Sequence, residues 1–157
     1  MTDFTVRAGV ARDIPEILAL ERSIAEAPHW TEAAYAAAID SREDPYLRRC
    51  LFVAVQEPAV IGFAVGNLTA DVAELESVAI AITARRCGVG KALCEAVIQW
   101  SRGQNAASIE LEVRAAGEPA MALYDSLGFR MVGRRLRYYS HPVDDAVLMR
   151  LDLSKGG

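Results

Sequence analysis

Apolar positions along the chain alternate or recur at helical spacing in a regular succession. Phe4 to Arg7 predicts a short first strand. A helix follows, capped by Asp13 with Pro15 in its first turn, and Ile14, Ile17, Leu18 and Ile24 form its apolar stripe. Thr31 predicts the N-cap of a second, alanine-rich helix, with Tyr35 and Ile39 one turn apart, ended by the charged stretch Ser41 to Arg49. Leu51 to Gln56 and Val60 to Asn67, separated by Glu57-Pro58-Ala59, predict a hairpin, and Glu74 to Ile80 predicts a further strand.

Val89, Leu93, Ala96, Val97 and Trp100 then repeat at helical spacing and predict a helix from about Gly88 to Ser101. In Ser108 to Arg114, Ile109, Leu111 and Val113 alternate with Glu110, Glu112 and Arg114, a strand reached through a βαβ crossover. Pro119 and Gly128 bracket another helix, Pro119 to Leu127. Two closing strands, Phe129 to Arg137 and Ala146 to Leu153, flank a predicted loop with Tyr138, Tyr139, His141, Pro142 and Asp144. The predicted order is β-α-α-β-β-β-α-β-α-β-β. No internal repeat or Pro/Gly/Ser linker interrupts it, so residues 1–157 are expected to form a single mixed α/β domain.

Composition narrows the setting. A chain of 157 residues that is 52% hydrophobic can bury one good core. A formal charge of −4 argues against a general nucleic-acid binder. Met1 to Arg12 lacks the apolar core of a secretory signal, and no apolar run approaches the roughly 18 to 20 residues of a membrane span, so a soluble, cytoplasmic protein with no membrane partner is expected. Cys50, Cys87, Cys94, His29 and His141 are scattered without metal-ligand spacing, and neither a metal nor a disulfide is expected. Oligomeric state leaves no mark in the sequence.

The segment Arg85-Arg86-Cys87-Gly88-Val89-Gly90-Lys91 is the first piece of candidate chemistry, because a basic, glycine-bearing turn opens directly into a helix. Free N–H groups and the positive dipole end meet an anion there, with Gly88 and Gly90 allowing close backbone approach and Arg85, Arg86 and Lys91 adding charge. A pyrophosphate suits such a turn. Cys87 reads as a small neutral turn residue.

The element order, Arg85-x-x-Gly88-x-Gly90 after the fourth strand, and Ala122-Leu123-Tyr124-x-x-Leu127-Gly128-Phe129 downstream closely resemble the GNAT superfamily of acetyl-CoA-dependent N-acetyltransferases. Leu111-Glu112-Val113-Arg114 and Arg134-Arg135-x-x-Tyr138-Tyr139 look like its RimI-type branch, which acetylates the N-terminal alanine of a small-subunit ribosomal protein. The resemblance implies a mixed, mostly antiparallel sheet of about six or seven strands flanked by about four helices. It also implies acetyl-CoA as co-substrate and a protein N-terminus, that of a ribosomal protein, as partner.

Carried over by position, Val78, Ala79 and Ile80 would pair their backbone with the pantetheine arm, and Arg85, Arg86, Cys87, Gly88, Val89, Gly90 and Lys91 would hold the phosphates. The resemblance puts the proton acceptor at Glu112 and the proton donor at Tyr124, with Glu76 on the adjoining strand as the rival base and the Val78 amide facing the oxyanion. Pro28, His29, Trp30, Tyr138, Tyr139, Asp144 and Asp145 would frame the acceptor, and Arg134, Arg135 and Arg137 read as a solvated face. The family's asparagine before the fourth helix is replaced by Gly117, which implies weaker CoA binding. A lysine or small-amine acetyltransferase and a non-catalytic acyl-CoA-binding module are the alternative readings.

Overall fold

The computed structural model describes residues 3–24, 30–39, 47–140 and 142–153. In chain order the elements are β1 (Thr5–Ala8), α1 (Ile14–Arg22), α2 (Glu32–Ile39), β2 (Arg48–Gln56), β3 (Ala59–Thr69), β4 (Val72–Ile80), α3 (Val89–Gly103), β5 (Ser108–Arg114), α4 (Glu118–Ser126), β6 (Arg130–Ser140) and β7 (Val143–Asp152). They build a seven-stranded sheet in the order β1-β2-β3-β4-β5-β7-β6. Every neighbouring pair is antiparallel except β4 and β5, which α3 joins as a crossover. This is the predicted order and the mixed, mostly antiparallel α/β sheet.

The two faces of β2 and β3 feed two cores, which is why both strands read as nearly continuous apolar runs. Leu51, Val53, Val55, Phe63 and Val65 pack with Ile14, Ile17, Leu20 and Tyr35 of α1 and α2. Cys50, Ala54, Ala64 and Leu68 pack with Leu93, Cys94 and Val97 of α3. The helix lies close to β3 because a glycine leaves room: a Cβ on Gly66 would come within 2.6 Å of the Val97 Cγ1.

Two irregularities in β4 shape the centre of the sheet. Val65 pairs with Ser77 while Gly66 pairs with Leu75, so Glu76 is the extra residue of a bulge. One extra residue reverses which side chains face which core. Ala73 and Leu75, before the bulge, lie in the core beneath α3; after it Val78 and Ile80 pack against that core and Ala79 turns to the α1–α2 core. Further, β4 pairs with β5 only at Val72–Ser108, Ala73–Ile109 and Glu74–Glu110. From there β5 continues paired with β7 as far as Arg114, while β4 runs on without it. The sheet therefore opens as a wedge in its middle.

Local signals hold at most element ends. Thr31 Oγ1 accepts the Ala34 N–H at 3.1 Å, capping α2. Gly128, with φ +99°, ends α4 as predicted, and the Phe129 N–H returns to the Tyr124 carbonyl at 3.1 Å. Two expectations differ. Tyr138 and Tyr139 lie within β6 rather than a loop, because the strand continues to Ser140 and Tyr139 pairs with Asp144 across an irregular stretch after Arg135. Asp13 makes no side-chain hydrogen bond at the head of α1. It turns back instead, accepting the Val10 N–H at 2.8 Å and gripping Arg7 through both oxygens at 2.7 and 2.9 Å.

The Arg7 hydrogen bond holds the buried Asp13 carboxyl below its usual range, and the Val10 N–H assists. A depressed folded-state pKa stabilises the fold above about pH 4, and that contribution fades as pH falls further. Asp13→Asn is expected to cost about 2 kcal/mol at pH 7 by thermal or urea unfolding, with a difference from wild type that shrinks toward pH 3.

Candidate active site

The turn between β4 and α3 is built by backbone conformation. A short 3-10 turn, Ile82–Ala84, leads into Arg86 at φ +64° and Gly88 at φ +82°. The first α3 bond runs from the Ala92 N–H to the Gly88 carbonyl at 3.1 Å. The N–H groups of Val89, Gly90 and Lys91 precede it and have no partner within the helix. A Cβ on Gly88 would meet nothing within 4 Å, so its glycine serves the left-handed conformation and an open approach. Gly90 differs from the sequence reading: a Cβ there would lie 2.8 Å from the Ile80 Cδ1 and 3.3 Å from the Leu123 Cδ2. It lets α3 close on β4 and α4 rather than clearing a ligand path. With Arg85, Arg86, Cys87 and Lys91 exposed around it, the turn fits a diphosphate.

Beside the turn, backbone groups of β4 face the wedge. The Ala81 N–H reaches the Ile61 carbonyl at 2.8 Å, which fixes the phase of the β3–β4 ladder. By antiparallel alternation Ala79 also bonds toward β3, whereas the N–H and C=O of Val78 and Ile80 point away from β3, toward the side that β5 has left. An extended arm carrying amides and carbonyls can pair with those groups as a strand would. Together with the N–H-bearing turn, the wedge fits a pantetheine arm joined to a diphosphate.

On the α1–α2 face of the sheet, two carboxylates approach the wedge. Glu112 on β5 is 27% exposed at its side chain and has Arg135 of β6 at 3.6 Å, a loose contact that leaves the carboxylate accessible. Glu76, in the β4 bulge, is 11% exposed and its Oε1 accepts from both the Arg49 Nε at 3.2 Å and the Asn67 amide. An incoming ammonium would have to displace fixed donors from Glu76, but only a loose one from Glu112. The other charged residues of β5 find partners on β7 and in the turn before it: Arg150 reaches Glu110 at 2.6 Å, and Arg114 donates to the Pro142 carbonyl at 3.0 Å.

Tyr124 on α4 is half-buried, its ring edge-on to Phe129 with centroids 5.9 Å apart. Burial raises its pKa well above the ordinary tyrosine value, and the Cys94 thiol and Tyr139 push the same way. The hydroxyl therefore stays protonated across the neutral range and beyond. Tyr139 is raised by burial and by the charge of Glu112. Tyr139 is thus electrostatically linked to both Glu112 and Tyr124, whereas Tyr138 lies edge-on against Tyr139 and is 51% exposed.

Of the acceptor-framing residues, Trp30 is half-buried, stacked on Tyr35 at 5.3 Å and covered by the Arg49 guanidinium at 5.6 Å. Asp144 and Asp145 hold backbone at the mouth: the Ala116 N–H donates to Asp144 at 3.0 Å and the Arg137 N–H to Asp145 at 2.9 Å. Arg134 pairs with Asp145 at 2.8 Å and remains 51% exposed. Pro28, His29 and His141 lie outside the described residues. Nothing in the sequence singles out Arg49 and Asn67; only their placement across β2 and β3 brings them to Glu76. At Gly117 a Cβ would stand 3.1 Å from the Arg114 carbonyl, so the tight turn into α4 accounts for the glycine.

Among the described residues, no cluster of His, Cys, Asp and Glu could hold a metal ion and no helix is long and apolar enough to cross a membrane. Residues 14–129 match the model of the acetyltransferase (GNAT) family. Over 152 residues the chain is 32% identical to the [ribosomal protein bS18]-alanine N-acetyltransferase of Escherichia coli K12, covering 96% of this chain and 98% of that protein. A putative enzyme of the same name from Bacillus subtilis is 25% identical over 154 residues, 98% of this chain and 99% of its own. The crystal structure of the Escherichia coli ribosomal-protein-S18-alanine N-acetyltransferase superposes with a TM-score of 0.81 at 30% identity, covering 99% of this chain and 97% of that one. Ard1 from Thermoplasma volcanium does so with a TM-score of 0.79 at 27% identity, over 96% and 97% of the two chains. With its wedge, its N–H-bearing turn and these full-length similarities, the chain belongs to the GNAT acetyltransferase family, whose members use acetyl-CoA.

Proposed function

We propose that this chain acetylates the N-terminal α-amine of a protein, and that its acceptor is the N-terminal alanine of a ribosomal protein of the S18 type. The observation that carries the reading is the end-to-end similarity to the Escherichia coli enzyme that bears that activity in its name. Two features support it: Glu112 is a loosely held, accessible carboxylate on β5 beyond the last β4–β5 pair, and Tyr124 stays protonated across the neutral range.

Acetyl-CoA supplies the acetyl group as a thioester open to attack by a neutral amine. The residues divide the work. The Val89, Gly90 and Lys91 amides, with Arg85, Arg86 and Cys87 around them, anchor the diphosphate. The backbone of Val78, Ala79 and Ile80 aligns the arm, and the Val78 N–H meets the carbonyl oxygen as negative charge develops there. Glu112 takes the ammonium proton, directly or through one water, and the Tyr124 hydroxyl gives a proton to the departing thiolate. At pH 7 an α-amine is about 14% neutral and a lysine about 0.04%, so a single accessible carboxylate suffices for an N-terminal acceptor.

Tyr124→Phe is expected to lower kcat about 10²- to 10⁴-fold while acetyl-CoA Kd stays within about twofold. Because its raised pKa keeps Tyr124 protonated, wild-type kcat/KM should rise with pH as the α-amine is freed and show no falling limb up to about pH 10. Glu112→Gln should lose a similar factor, and Glu76→Gln distinctly less; steady-state pH profiles read both.

Burial pushes the Cys50 and Cys94 thiols up to about 12, whereas Cys87 is exposed in the turn. Maleimide labelling of the native protein should therefore modify Cys87 alone, and saturating CoA should slow it about tenfold or more, read by intact-mass spectrometry. The acceptor is tested by transfer to an alanine-initiated S18 peptide against free lysine and polyamines, backed by a comparison of protein N-termini in cells with and without the gene. Preferred transfer to the peptide and loss of one ribosomal N-terminal acetyl group are expected; preferred transfer to lysine or polyamine contradicts the reading.

A further inference from the structure

A buried carboxylate that the acetyl-transfer chemistry leaves unused lies on α1. Glu21 is 1% exposed, in the core with Ile17, Leu20 and Phe63. An apolar residue would fill that volume without the cost of desolvating a charge. Its oxygens instead hold two specific partners: Oε2 accepts the Tyr35 hydroxyl and Oε1 accepts the Trp30 N–H at 3.0 Å. Both partners belong to the segment that enters and forms α2, so one carboxylate fixes that segment twice.

From there the contacts run to the wedge without a break. The Trp30 ring stacks on Tyr35 at 5.3 Å, and Tyr35 sits edge-on to Phe63 at 5.7 Å. The Arg49 guanidinium covers the Trp30 ring at 5.6 Å, and its Nε lies 3.2 Å from Glu76 in the β4 bulge. Glu21 has no access to the wedge itself, yet it sets the ring against which Arg49 rests.

We propose that Glu21 is a positioning residue for the acceptor: by fixing Trp30 it holds Arg49 on Glu76, and this Trp30–Arg49–Glu76 wall shapes the face of the wedge from which the amine enters. The coenzyme side is built from β4 backbone, α3 and α4, whereas the Glu21 carboxylate holds Trp30 and Tyr35 on the acceptor side. Loss of Glu21 or of its Tyr35 partner therefore alters acceptor KM and spares acetyl-CoA. The inference rests on the acetyl-transfer reading above but not on which amine is the acceptor.

Glu21→Gln and Tyr35→Phe keep the volume of each side chain, and Trp30→Phe, at a half-buried site, serves as a third variant should the core changes lower the yield of folded protein. Each is assayed with the amine that wild type turns over best, whether an alanine-initiated peptide, lysine or a polyamine. The expected result is an acceptor KM raised about five- to tenfold with acetyl-CoA KM within about twofold. In a Trp100→Phe background, where Trp30 is the remaining indole, Glu21→Gln should also shift Trp30 emission. Equal changes in both KM values, or a lowered Tm with unchanged kinetics and unchanged emission, overturn the proposal. If wild type prefers lysine or a polyamine, the N-terminal reading falls, and the same KM split on that amine still decides the role of Glu21.

Discussion

The site depends on one constraint, the end of β4–β5 pairing after Glu74 and Glu110. Backbone N–H and C=O groups in the middle of a sheet normally bond to both neighbours, and leaving them without partners is costly when they are shielded from water. Here β5 stays with β7 while β4 stays with β3, so the unmatched edge of β4 faces inward. An extended chain with its own amides satisfies that edge as a missing strand would. In the proposed reading the opening is a recognition surface made of main chain, whose fit to an arm of alternating donors and acceptors does not depend on particular side chains.

The bulge at Glu76 makes the wedge usable from both faces. By reversing the side-chain phase of β4, it turns Val78 and Ile80 toward the α3 core and keeps Glu76 on the opposite face, beside Arg49 and Asn67. The α3 N-terminus then meets the end of β4 closely, since Gly90 accepts Ile80 against it. In the proposed reading, diphosphate anchor, arm and reacting end lie in series, with the acceptor face on the far side of the same strands. The proposed division of labour follows from this: binding energy resides in backbone and turn, and proton transfer resides in Glu112 and Tyr124.

Much of this was legible in the sequence because it is written locally. The apolar stripe of α3, the glycine turn before it and the proline-first, glycine-last helix α4 each depend on neighbours a few residues apart. What the sequence hid depends on pairing between distant segments. Nothing in Glu74-Leu75-Glu76-Ser77 marks Glu76 as a bulge until β3 is laid beside it. Gly90 resembled a ligand-approach glycine because its true neighbours, Ile80 and Leu123, come from two other elements. Tyr138 and Tyr139 followed a run of arginines that reads as the end of a strand, and only pairing with β7 carries β6 through them. Nothing beside Glu21 in the sequence marks it as buried, because the Tyr35 hydroxyl it accepts comes from a different helix.

The central claim, that the inward edge of β4 holds the coenzyme arm as a missing strand, is tested most directly by residue-resolved amide hydrogen exchange with and without CoA. The Val78 and Ile80 amides should exchange readily in the free protein and become strongly protected on binding, together with Val89 to Lys91. Ala79, already bonded toward β3, should change little. Strong protection of Val78 and Ile80 before CoA is added, or no change at them under saturating CoA, contradicts the account.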